Sequence, residues 1–181
     1  MNERLRLLQI IRERSYEERE VTLASGRKSN FYIDGKQTTL DPEGALLVGK
    51  VLSAMIKGKA EAIGGPTLGA DPIVTAVALT SYQEGNPIAA FIIRKEPKGH
   101  GKGLWIEGDK GVKKGTRVAI VEDVVTTGGS LLKAIRIAEE HGLNVVQALT
   151  LVDREEGGKE ELAAAGYTLE AVFTRREIIG Q

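Results

Sequence analysis

A chain of 181 residues with 41% apolar content can bury a core of useful size as one domain, and it is too short for two full ones. Its 25 basic and 25 acidic side chains cancel, which removes any general electrostatic drive toward nucleic acid or an anionic membrane, so a polyanion site has to be local. With no cysteine there is no disulfide, thiolate zinc site or thiol nucleophile, and the longest apolar run, Ile88 to Ile93, is six residues against the roughly 18 of a bilayer span. The amino terminus has no signal-peptide core, and a cytoplasmic protein is expected.

In chain order, Asn2 to Arg14 puts Leu5, Leu8 and Ile11 at helical spacing, with Asn2 as the cap, and predicts an amphipathic helix whose apolar stripe is core. Val21 to Leu23 and Phe31 to Ile33 read as short strands around the turn-rich Ser25 to Asn30. Residues 1–40 are expected to form most of a small N-terminal cap on a single domain. Asp41-Pro42 and Asp71-Pro72 then open alike, each an acidic N-cap with proline at the first helical position, and predict two helices.

Apolar stretches of strand length follow at Glu61 to Ile63, Pro87 to Ile93, Arg117 to Val121, Val145 to Val152 and Leu169 to Phe173. They alternate with helical segments at Ser130 to Glu140 and Lys159 to Ala165. Strands this apolar cannot face water on either side. The expected fold class is α/β, a mainly parallel central sheet flanked by helices on both faces, with ligands beyond the carboxyl ends of the strands.

The most informative of those ends is the 13-residue run Val118 to Ser130. A buried strand ends in Glu122-Asp123, Thr126-Thr127-Gly128-Gly129-Ser130 follows, and a helix begins. Glycines let successive amides point into one concavity, the hydroxyls of Thr126, Thr127 and Ser130 add donors, and the helix amino end supplies positive potential, which suits a phosphate monoester. Carboxylates repel phosphate, so Glu122 and Asp123 are expected either to accept hydrogen bonds from sugar hydroxyls or to hold a hydrated Mg²⁺. No Gly-x-x-x-x-Gly-Lys-Ser/Thr is present, and Gly99 to Gly103 lacks the context of a dinucleotide loop.

A second feature is cationic. Arg94, Lys95, Lys98 and Lys102 against Glu96 concentrate a charge of +3 in a neutral chain, with glycines at 99, 101 and 103. The segment leaves the end of the strand closing at Ile93, where a lid over a ligand is expected.

The run from Val118 to Ser130 resembles the phosphoribosyl diphosphate signature of the type I phosphoribosyltransferases. Arg94-Lys95-Glu96-Pro97-Lys98-Gly99-His100-Gly101, Gly64 to Asp71 and Ser25-Gly26-Arg27 are similar to the orotate-using members of that family. The resemblance implies a Rossmann-like fold with an N-terminal hood. It also implies transfer of the 5-phosphoribosyl group from phosphoribosyl diphosphate to orotate, giving orotidine 5′-phosphate and diphosphate, in the step before UMP is made. The implied cofactor is Mg²⁺, with no metal site of the protein's own. The implied catalytic residues are Lys95, Lys98, His100 and Asp123. The donor would be bound by Arg94, Lys95, Lys98, His100, Glu122, Asp123 and the stretch Val124, Val125, Thr126, Thr127, Gly128, Gly129 and Ser130. Thr126 and Arg154 match the family's contacts to the base, and a homodimer with shared active sites is implied as well.

The chain departs from some orotate enzymes in having Ala24 before Ser-Gly-Arg and Leu68-Gly69 after the Gly-Pro turn, where those carry lysines; Arg27, Lys28 and Lys36 are the neighbouring cations. The amides of Leu68 to Asp71 and the amino end of the Asp71 helix are the expected backbone substitute. Two other readings share the phosphate loop: a purine phosphoribosyltransferase, which the Arg94 to Gly101 loop argues against, and a non-catalytic regulator that binds phosphoribosyl diphosphate, for which this chain has neither spare length nor a basic face.

Overall fold

The computed structural model describes residues 2–22, 28–98 and 104–180. It opens with α1 (Glu3–Ile10), where the Asn2 side chain accepts from the Arg4 amide, and continues as a π-turn over Ile11–Ser15. Leu7, Ile10 and Ile11 are buried on this element while Leu5 is 53% exposed. The expected stripe is therefore corrected in phase, because the face that meets α3 (Pro42–Ile56) runs through Leu7 rather than Leu5. Next, β1 (Tyr16–Thr22) and β2 (Lys28–Ile33) pair antiparallel as a separate two-stranded sheet. Both strands run longer than their apolar cores because β1 carries Glu17, Glu18, Arg19 and Glu20, whose charges conceal a strand from hydropathy; Arg19 lies 3.7 Å from the Tyr32 ring centroid. A short α2 (Lys36–Thr39) leads to Asp41, whose carboxylate accepts from the Glu43 and Gly44 amides and caps α3 as expected.

The second Asp-Pro behaves differently. In α4 (Asp71–Gln83), Ala70 precedes the helix and Asp71 is its first residue, with its carboxylate accepting from the Thr67 hydroxyl at 2.8 Å instead of capping amides.

The main sheet contains β3 (Ala62–Pro66), β4 (Ala89–Lys98), β5 (Leu104–Glu107), β6 (Arg117–Val125), β7 (Asn144–Asp153) and β8 (Leu169–Thr174) in the order β5-β4-β3-β6-β7-β8. All pairs are parallel except β4 with β5. Alternation along β6 sends Ala119 and Val121 into one core with α3 and α4, and Val118 and Ile120 into the other with α5 (Gly129–Glu140) and α6 (Gly158–Ala164). The carboxyl-terminal α7 (Arg175–Ile179) opens on a capping box between Thr174 and Glu177. Among the described residues no helix is long and apolar enough to cross a membrane.

From β3 the chain crosses to β4 on one side and returns to β6 on the other. The strand order therefore reverses between β3 and β6, and the crevice at their carboxyl ends is where an open α/β sheet admits a ligand.

Candidate active site at the β3–β6 crevice

β6 runs through Val125 instead of stopping at Val121, so Glu122 and Asp123 lie within a strand and their side chains leave opposite faces of the sheet. Glu122 turns toward α5, where it accepts a hydrogen bond from the Ser130 hydroxyl; burial pushes its carboxyl up to about 7. Asp123 turns to the other face. A Cβ on Gly69 would sit 2.2 Å from its Oδ1, so that neighbour has no room for a side chain, and one on Gly35 would sit 3.0 Å from its Oδ2, a tight contact. Burial also raises the Asp123 carboxyl, opposed chiefly by the positive charge of Lys36, whose Nζ is 4.0 Å away. The two acids thus flank the crevice rather than forming one pair.

Three residues beyond the end of β6 the chain curls at Gly128, whose φ of 85° is left-handed, a conformation that strains any side chain, and a Cβ there would sit 2.7 Å from a Leu162 methyl. The amides of Gly129, Ser130 and Leu131 open α5 with no partner in the preceding turn, and Thr127, Gly129 and Ser130 are exposed. The Ser130 hydroxyl interacts with Glu122, and Thr126 and Thr127 carry the other hydroxyls of the loop. Val125 is buried against Gly158 and its carbonyl accepts from the Arg154 amide, while Val124 packs into the upper core; both position the loop by their main chain.

Arg154 follows β7 and is 9% exposed. Its guanidinium donates to the Phe31 carbonyl at 3.2 Å and to Glu156, and lies 5.6 Å from the Phe31 ring centroid. It therefore joins the β1–β2 hairpin to the crevice, just past the end of β7, with its amide on the Val125 carbonyl at the end of β6.

The cations of β4 stand on the other side of β3. Arg94 pairs with Glu107 across the β4–β5 hairpin at 2.7 Å, and Lys95 and Lys98 are exposed. His100, Lys102 and the tip between them lie outside the described residues, as do Ala24 and Arg27. Sequence reasoning attached no role to Lys133, one turn into α5. Its Nζ donates to the Lys95 carbonyl at 3.5 Å and lies 5.4 Å from the Trp105 ring centroid, so Trp105 packs across onto α5 rather than within its own hairpin. Lys133, Arg94, Lys95, Thr67 and Ser130 line a cavity of about 260 Å³ between β4 and the start of α5. Of the four amides expected to replace missing lysines, those of Ala70 and Asp71 are already bonded to Pro66 and Leu68 carbonyls. Among the described residues, the Leu68 and Gly69 amides remain, at the cis peptide Thr67-Leu68.

Residues 40–173 match the family model described as the phosphoribosyl transferase domain. The orotate phosphoribosyltransferase of Sorangium cellulosum is 47% identical over 98% of this chain and 94% of that protein, and that of Aquifex aeolicus is 46% identical over 99% of each. The crystal structure of Mycobacterium tuberculosis orotate phosphoribosyltransferase in complex with phosphoribosyl diphosphate superposes with a TM-score of 0.79 at 34% identity, covering 97% of this chain and 98% of that one. With a phosphate loop, two flanking acids and a buried arginine gathered at the reversal of this sheet, and relatives of that kind along nearly its whole length, the chain belongs to the orotate phosphoribosyltransferases, within the phosphoribosyl transferase family.

Proposed function

We propose that the protein transfers the 5-phosphoribosyl group of phosphoribosyl diphosphate to orotate in the β3–β6 crevice. The observation that carries this reading is the continuity of β6 into α5: one strand end presents the half-buried carboxylate of Asp123 for ribose hydroxyls, and six residues later the first amides of a helix open toward the 5′-phosphate. In this reading Asp123 and Glu122 hold the ribose from its two sides, and the amides of Thr127 to Ser130 take the phosphate. Thr126 and Arg154 meet the base, where a guanidinium suits the orotate carboxylate.

The bond from C1 of the ribose to the diphosphate oxygen breaks and the bond from C1 to the orotate nitrogen forms, with both electrons of the old bond leaving on diphosphate. Positive charge builds on the ribose and negative charge on the leaving group, so cations set where that negative charge grows supply most of the acceleration. Lys95, Lys98 and His100 are assigned to this role, and Arg94 to a bidentate grip on phosphate oxygens once it exchanges Glu107 for the ligand. No protein nucleophile is required. The enzyme's remaining tasks are to align the orotate nitrogen and to keep water from the oxocarbenium-like centre.

Mg²⁺ is assigned to the donor. The ion would keep its waters and arrive on the phosphates, with Asp123 as a carboxylate that could hold those waters. Bound there, Mg²⁺ would neutralise charge on the departing diphosphate.

A homodimer is part of the same reading. Leu40, Leu46, Leu68, Leu79 and Tyr82 present a large apolar patch across α2, α3, α4 and the β3–α4 loop, with Leu79 63% and Tyr82 76% exposed, around a cavity of about 530 Å³. A second copy seated there would lie beside the crevice. Sedimentation of Leu79→Asp is expected to show a monomer where the parent chain is a dimer.

The activity is tested by following nucleotide formation with phosphoribosyl diphosphate, Mg²⁺ and, in turn, orotate, adenine, xanthine and uracil. Product with orotate is expected. Turnover with a purine and none with orotate would replace the acceptor, and tight donor binding without any turnover would make the protein a sensor of that donor.

A further inference from the structure

Asp123 needs a counter-charge to remain an anion in so buried a position, and the fold supplies it from the cap side of the crevice. Lys36 opens α2, and its Nζ donates to Asp34 Oδ1 at 2.6 Å and reaches to 4.0 Å from Asp123 Oδ2. Asp34 is itself fixed, accepting from the Lys36 amide at 3.1 Å and from the Gln37 side chain at 3.2 Å. An ammonium has three donors. One is spent on Asp34, and Asp123 lies beyond hydrogen-bond reach, so among the described residues two have no acceptor and remain for a ligand. The side chain is 37% exposed and stands at the edge of the cavity that the apolar patch surrounds, beside the Leu68 to Asp71 loop that carries the Leu68 and Gly69 amides. Of the other cations near that end of the chain, Lys28 is turned away to Glu20 on the hairpin.

We propose that Lys36 is a donor-binding residue of this protein: held by Asp34, it grips the diphosphate of phosphoribosyl diphosphate together with the Leu68 and Gly69 amides. The proposal rests on the transferase reading and extends it to a residue outside the phosphate loop and the cationic loop. Without Lys36 the wall of the crevice would present Asp123 and Asp34 to an incoming polyanion, with repulsion where attraction is needed. With it, the same wall offers a charge-assisted donor beside two amides, aimed by a fixed carboxylate and therefore ordered before the ligand arrives.

Calorimetry on the full chain with inorganic pyrophosphate and Mg²⁺, and separately with ribose 5-phosphate, tests this. Lys36→Met is expected to weaken pyrophosphate by about tenfold or more, the size of one lost charge-assisted hydrogen bond, while ribose 5-phosphate stays within about twofold. Lys36→Arg is expected to recover pyrophosphate binding to within about threefold, since it keeps the charge and the donors. In steady state the Met variant should raise KM for phosphoribosyl diphosphate and leave KM for orotate. Retained ribose 5-phosphate binding shows that the Met variant is folded. Unchanged pyrophosphate binding in Lys36→Met, or equal losses of both probes, would overturn the assignment of Lys36 alone. A parent chain that binds neither probe would overturn the transferase reading with it.

Discussion

The β6–α5 loop and the β4–β5 loop rise from the carboxyl ends of strands in the same sheet, and they carry charge in opposite ways. Around β6–α5 the acids are half-buried, each fitted to one neighbour set: Glu122 to Ser130, Asp123 to Gly35, Gly69 and Lys36. Along β4, Lys95 and Lys98 are exposed, and among the described residues Arg94 at the root is the cation with an ionic partner, Glu107. A carboxylate that must select sugar hydroxyls gains from being dehydrated and fixed. A cation that must meet charge only as it develops gains from being free until then. On the proposed reading, the first region binds the donor and the second stabilises the transition state.

Four substitutions sharpen that contrast, the largest effect first. Lys98→Ala should lower kcat by at least about 10²-fold with smaller changes in substrate binding, as for loss of one donor to a developing anion; near-normal kcat would remove Lys98 from the chemistry. Arg154→Lys replaces a fork that now serves both Phe31 and Glu156 with a point charge, and should raise KM for orotate by about tenfold or more, with a smaller effect on the donor. Asp123→Asn should weaken phosphoribosyl diphosphate by about tenfold and orotate much less, read by calorimetry; equal losses would detach Asp123 from the ribose.

The smallest effect concerns stability. Glu122 is raised by burial from 4.5 to about 7, so the stability of the ligand-free fold associated with its protonated form is complete below about pH 4.5 and is lost as pH rises through about 7. Glu122→Gln should therefore leave Tm unchanged near pH 4 and raise it by several degrees at pH 8, for a gain of about 2 kcal/mol. Equal shifts at both pH values would mean that packing, not charge, is responsible.

What could be read from the residues alone depended on how local the signal was. The strand–turn–helix of β6 and α5 was legible because strand, acids, glycines and helix follow each other within 13 residues. Asp41-Pro42 was legible for the same reason. Asp71-Pro72 has the same letters, but whether its aspartate caps amides or bonds Thr67 depends on how β3 delivers the chain to the helix. Leu5 and Leu7 both fit an amphipathic helix; only the seat of α3 decides which is buried. Adjacent acids in a motif read as a pair, and the continuation of β6 to Val125 parts them to opposite faces. Lys36 was visible as a cation without a role, because its meaning lies in Asp123, 87 positions later.

The seat of the 5′-phosphate is the centre of the account, and amide NMR with ribose 5-phosphate reads it directly. Titration should move the resonances of Thr127, Gly128, Gly129 and Ser130 first and furthest, saturating with the ligand. If those four stay fixed while resonances elsewhere in the chain shift, the loop after β6 does not hold phosphate and the assignment of the crevice fails.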